Sequence, residues 1–118
     1  MVYMANALVE QKEMDYLNEL LTMDCGAIYD KYGIGNKEVI YVSTAYFGNG
    51  VIVDIKVCMC DDDETPYVDT ILFSENKDGS YSEENCEVVD EPFANDTKEP
   101  FVEYERNGDI YKVFVVAQ

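Results

Sequence analysis

The sequence predicts an α+β protein: an N-terminal helix packed on an antiparallel sheet of about five or six strands. Three observations lead there. Apolar side chains in residues 7–24 recur at helical spacing, the period changes to two from about residue 38 to 117, and turn-forming pairs punctuate that second stretch at meander intervals. The 118 residues fit a single domain, 1–118, of a size that removes roughly two thirds of its unfolded surface from water.

The helix expected over 7–24 takes Asn6 as its cap and Gly26 as its stop, with Val9, Met14, Leu17, Leu20 and Leu21 on the face that meets the sheet. A short connection runs through Ala27 to Tyr32 and ends at Gly33-Ile34-Gly35-Asn36. Val39 to Tyr46 is rich in β-branched and aromatic residues, and Phe47-Gly48-Asn49-Gly50 supplies the turn after it. From Val51 to Cys60 the alternation is clean: Val51, Val53, Ile55, Val57 and Met59 face the core, and their neighbours face away. Asp61 to Pro66 interrupts the ladder, Tyr67 to Ser74 resumes it, and Asp78-Gly79 turns the chain. A weaker strand is expected near Cys86 to Val89, followed by a polar loop from Asp90 to Pro100. Phe101 to Arg106 and Asp109 to Ala117 flank Asn107-Gly108, a strong hairpin signal.

Composition narrows the function. The chain has 25 acidic and 8 basic residues, no His and a net charge of −17, far beyond the magnitude of about 2–8 typical of a well-behaved small domain. With 47% apolar residues and ten Tyr it nevertheless has the material for a core, so disorder is not expected. Residues 61–109 hold 17 of the carboxylates and only Lys77, Lys98 and Arg106 as cations. Such a surface repels phosphate backbones and anionic lipid, which excludes direct nucleic-acid binding and membrane docking, and it attracts basic proteins. No basic-then-apolar leader opens the chain, and its longest apolar runs fall far short of about 20 residues, so a cytoplasmic protein is expected.

The usual catalytic and metal signatures are weak. Without His there is no Ser-His or Cys-His pair, and no phosphate-binding glycine loop is complete. Ser74 to Asn85 resembles a calcium-loop frame only at its central Asn76, Asp78 and Gly79, since Ser74 and Asn85 occupy the two positions that need carboxylates. Cys58-Met59-Cys60 has the wrong spacing for a zinc knuckle, so Cys25, Cys58, Cys60 and Cys86 read as packed thiols. Neither a cofactor nor a metal is expected.

What remains is a binding surface. The candidate residues are Asp61, Asp62, Asp63 and Glu64; Glu83, Glu84 and Glu87; Glu103 and Glu105, about 6.6 Å apart on one strand face like a short line of phosphates; and Tyr67, Tyr81 and Tyr104 as aromatic anchors beside them. In size, composition and tyrosine-rich acidity, the chain resembles the acidic proteins with which phages and mobile elements occupy nucleic-acid-binding grooves, namely DNA mimics and several anti-CRISPR inhibitors. The resemblance spans the chain's composition and rests on no shared motif, so it carries over no residue role. It implies a non-enzymatic inhibitor of a basic partner, such as a nuclease or another nucleic-acid-binding protein. The competing expectation is a structural or assembly module of a mobile element, self-associating as a homo-oligomer, whose acidity serves solubility.

Overall fold

The chain begins with a strand, which corrects the expected N-terminal helix. The computed structural model describes residues 1–90 and 101–118. Strand β1, Val2–Val9, turns Tyr3, Ala5, Ala7 and Val9 inward and Val2, Met4, Asn6 and Leu8 outward. It lies parallel to the last strand, β8 (Asp109–Ala117), in register from Val2↔Ile110 to Val9↔Ala117. That partner lies 108 residues away in sequence, and its pairing overrides the local helical spacing that Val9 shares with Met14, Leu17 and Leu20.

The predicted long helix is instead two short ones. Helix α1, Gln11–Leu20, is capped by Glu10, whose carbonyl accepts the N–H groups of Glu13 and Met14 at 3.0 and 2.9 Å, so neither Asn6 nor Gly26 bounds it. Helix α2, Cys25–Tyr32, occupies the stretch read as a connection. Asp24 caps it by accepting from Ala27 N at 2.8 Å, and Gly33 ends it at φ 74°. Met14, Leu17, Leu20, Cys25 and Ile28 bury the inner faces of the pair.

Among the described residues seven further strands follow β1, more than the five or six expected: β2 (Val39–Phe47), β3 (Val51–Cys58), β4 (Tyr67–Glu75), β5 (Tyr81–Glu83), β6 (Glu87–Asp90), β7 (Phe101–Arg106) and β8. They form two four-stranded sheets, ordered β1-β8-β7-β6 and β2-β3-β4-β5, antiparallel except for the β1–β8 pair. The α+β class and the antiparallel character of the sheets therefore hold. The predicted alternation in β3 holds from Val51 through Val53 and Ile55 to Val57, all buried, and breaks at the strand's end, where Cys58, expected to face away, is buried between Val57 and Met59. Asn107 at φ 51° and Gly108 at φ 81° form the tight β7–β8 turn, whose two left-handed residues match the twist of the strands. The expected polar loop lies, beyond Asp90, outside the described residues.

One hydrophobic cluster joins both sheets and both helices, through Ala7, Val53, Ile55, Leu72, Val102, Val113, Leu17 and Ile28 among others. Side chains also tie sheet to sheet: Thr70 Oγ1 and Tyr104 Oη lie 2.6 Å apart, and Ser43 Oγ donates to the Leu8 carbonyl at 3.2 Å. The helices cover the end where β1 and β3 finish and β2 and β4 begin. The opposite end is left to turns, and this polarity separates the acidic segments.

Candidate acidic interface

Asp61, Asp62, Asp63 and Glu64 lie in the β3–β4 connection at the helix end, where their backbone has a structural task. The carbonyls of Glu64 and Asp62 accept the N–H groups of Cys25 and Gly26 at 2.8 and 3.0 Å, satisfying donors that the first turn of α2 leaves free. The approach favours glycine, since a Cβ on residue 26 would stand 3.1 Å from the Asp62 carbonyl and the loop would have to give by a few tenths of an ångström. The four side chains point to solvent. Tyr67, at the start of β4, is exposed beside them. Below the loop the sulfurs of Cys25 and Cys60 stand 3.7 Å apart, and the Cys60 thiol donates to the Thr65 carbonyl at 2.8 Å. Burial first, then the Cys25 sulfur and Glu64, push the Cys60 thiol up to about 11.

The remaining candidates sit mostly toward the other end, a strand length of about 25 Å away, so the loop and strand carboxylates form two surfaces and not one. Glu84 belongs to neither as a free ligand. Arg106 grips it through both Nε and Nη2, the latter 2.8 Å from Oε1, while Ser74 Oγ donates to the same oxygen at 2.6 Å. The contacts continue to Tyr111, whose hydroxyl meets Arg106 Nη1 at 3.4 Å and accepts from Asn49 Nδ2 at 3.0 Å. Tyr111 in turn stacks on Tyr3 at 4.9 Å and meets Phe47 edge-on at 5.1 Å. This chain of contacts fastens the two sheets together at the open end. Arg106 and Ser74 hold the Glu84 carboxyl at about 2, too low to give or take a proton near neutral pH.

Tyr104 also departs from its expected role as an exposed anchor. It is 2% exposed, inside the core, with its hydroxyl on Thr70. It lines an open cleft of about 410 Å³ with Leu72, Glu84, Cys86 and Val88, where burial pushes the Cys86 thiol above its ordinary range. Tyr81, on the short strand β5, is exposed, as is its neighbour Glu83.

The outward face of β6 and β7 gathers the rest. Glu87 pairs across the ladder with Glu105, and Asp90 is in register with Glu103. Glu103 has Lys112 at 3.8 Å, whereas no cation among the described residues pairs with Glu87 or Glu105, both of which are exposed. Like charges directly opposite on a sheet are destabilising, so this pair does not add to the stability of the β6–β7 ladder.

Sequence reasoning missed the surface beside these carboxylates. On the same outward face β8 and β1 present Phe114, Val116, Met4 and Leu8, with Met4 67% and Leu8 51% exposed. The available signal was the absence of alternation: Val113-Phe114-Val115-Val116 is apolar on both sides of its strand. No helix among the described residues is long and apolar enough to cross a membrane. No protein-family model, curated protein or solved structure matches the chain.

Proposed function

We propose that this chain is a non-enzymatic acidic binding protein that inhibits a basic, nucleic-acid-handling partner by occupying its groove with the outward carboxylates of β6 and β7. The observation that carries the reading is the cross-strand pair Glu87↔Glu105, with Glu103 two residues further along β7. A sheet that keeps two exposed like charges in register gains stability when a cationic surface covers them. A groove built to track phosphates offers Arg and Lys at the right density. The field of a protein with net charge −17 speeds that encounter, and salt weakens it.

The test is capture from a nuclease-treated lysate on the immobilised protein at low and moderate salt, with the double variant Glu87→Lys/Glu105→Lys in parallel. A captured DNA- or RNA-binding protein supports the reading if its recovery falls with salt, is lost with the variant, and if it releases nucleic acid when the chain is added. Recovery indifferent to both salt and the double reversal refutes it.

A further inference from the structure

The acidic strip and the exposed apolar strip lie side by side on one sheet face, and their register fixes how they align. Across the order β1-β8-β7-β6, the outward positions fall into rows: Val2, Ile110, Glu105 and Glu87 form one, and Met4, Lys112 and Glu103 the next. The outward positions of β1 and β8 carry no carboxylate, because beyond Asp109, which shares the inward period of Tyr111 and Val113, neither strand contains an acidic residue. The β7–β6 half is acidic. The boundary is Lys112, whose ammonium lies 4.1 Å from the Phe101 ring centroid, 5.3 Å from that of Phe114 and 3.8 Å from Glu103. The ammonium therefore sits over both rings and against Glu103, and its charge is already engaged at the boundary between the two halves.

Resting on the reading above, we infer that this whole face docks an amphipathic helix of the basic partner. Its apolar stripe lies on Met4, Leu8, Phe114 and Val116, and its Lys or Arg flank reaches Glu103 and Glu105. The dimensions agree. Strands stand about 4.8 Å apart, so β1 and β8 together offer a strip about as wide as the apolar stripe of a helix roughly 10 Å across. The first carboxylates begin one strand beyond that strip, within reach of a long basic side chain. Charge selects this occupant over a second copy of the chain, because two such faces meeting would oppose Glu103 and Glu105 rows on molecules of net charge −17 each. An anionic membrane is disfavoured by the same carboxylates.

The experiment uses a fluorescent 18-residue Leu/Lys peptide of amphipathic helical pattern and a scrambled peptide of the same composition, titrated by anisotropy at two salt concentrations. The amphipathic peptide should bind at least ten-fold more tightly than the scrambled one. Met4→Glu and Leu8→Glu, at positions exposed enough to leave the fold intact by circular dichroism, should each weaken it ten-fold or more, and Asp62→Asn/Asp63→Asn should leave it unchanged. Equal binding of both peptides, or indifference to the β1 variants, overturns the inference. So does a dimer by light scattering that Met4→Glu dissociates, since a second copy then covers the face. The two proposals fail separately: a nucleic-acid-handling partner lost with Glu87→Lys/Glu105→Lys but retained by Met4→Glu removes only the helix, whereas peptide binding with no such partner removes only the proposed function.

Discussion

Replacing Glu84 by Gln separates the carboxylate that holds the fold from those that face solvent. The substitution keeps the shape of the side chain and leaves Arg106 without its counter-charge. Arg106 and Ser74 hold the Glu84 carboxyl at about 2 against an ordinary 4.5. At about 1.36 kcal/mol for each pKa unit, this is on the order of 3 kcal/mol at neutral pH. The side chains are 23% and 27% exposed, so solvent screening trims this figure without removing it. Because the folded value lies below the unfolded one, the stabilisation is complete above about pH 4.5 and is lost as pH falls toward 2. Repulsion among 25 acidic residues acts in the opposite sense, relaxing as pH falls from 7 toward 5. The wild type should therefore hold or gain stability to about pH 5 and lose it below about 4, while Glu84→Gln shares the gain and lacks the Glu84 part of the loss. Thermal unfolding followed by circular dichroism should put the variant about 10 °C below wild type at pH 7. The gap should narrow by more than half by about pH 3. A gap of the same size at both pH values, or none at pH 7, would refute the role assigned to the pair.

Two further outcomes follow from the geometry. Gly108→Ala should cost about 1–2 kcal/mol through backbone strain alone, because φ is 81° and no atom lies within 4 Å of an added Cβ; Gly48→Ala, in open space without that φ, is the control whose Tm should stay put. Treatment with a small-molecule disulfide should link Cys25 to Cys60, whose sulfurs are 3.7 Å apart, with the release of two thiols from the reagent. The link should raise stability by about 3–4 kcal/mol for a loop of this length, and faster at alkaline pH, as peptide mapping and thermal unfolding would report.

The legible parts of the fold were those whose determinants are local. Asn107-Gly108 specifies its own turn, and Val51 to Val57 alternate strictly enough that burial follows from period alone. Strand β1 was illegible because Ala5 and Ala7 suit a helix as well as a strand, and the partner that decides is β8. For the candidate site, charge density along the chain was readable but placement was not: Asp61 to Glu64 lie at the helix end and Glu83 to Glu105 mostly toward the other because the strands between them run the length of the sheets. Tyr104 was readable after all. The period of two that puts Glu103 and Glu105 on one face must put Tyr104 on the other, in the core.

The few cations bear on whether the acidity is only for solubility. Lys31 holds Glu19 where α2 meets α1, Lys112 meets Glu103 between β8 and β7, Arg106 holds Glu84 between the sheets, and the N-terminal ammonium meets Asp109 at 3.0 Å. Each of these pairs joins two elements. A fifth pair, Lys12 with Glu10, is local to the start of α1, so four pairs between elements contribute to the architecture, while Glu87 and Glu105 keep no cation among the described residues. Solubility requires net charge but no register: carboxylates scattered over loops would serve it without setting Glu87 opposite Glu105. A face that keeps two such charges adjacent, beside the exposed Met4 and Leu8, fits the proposed basic, amphipathic partner, which would cover both at once.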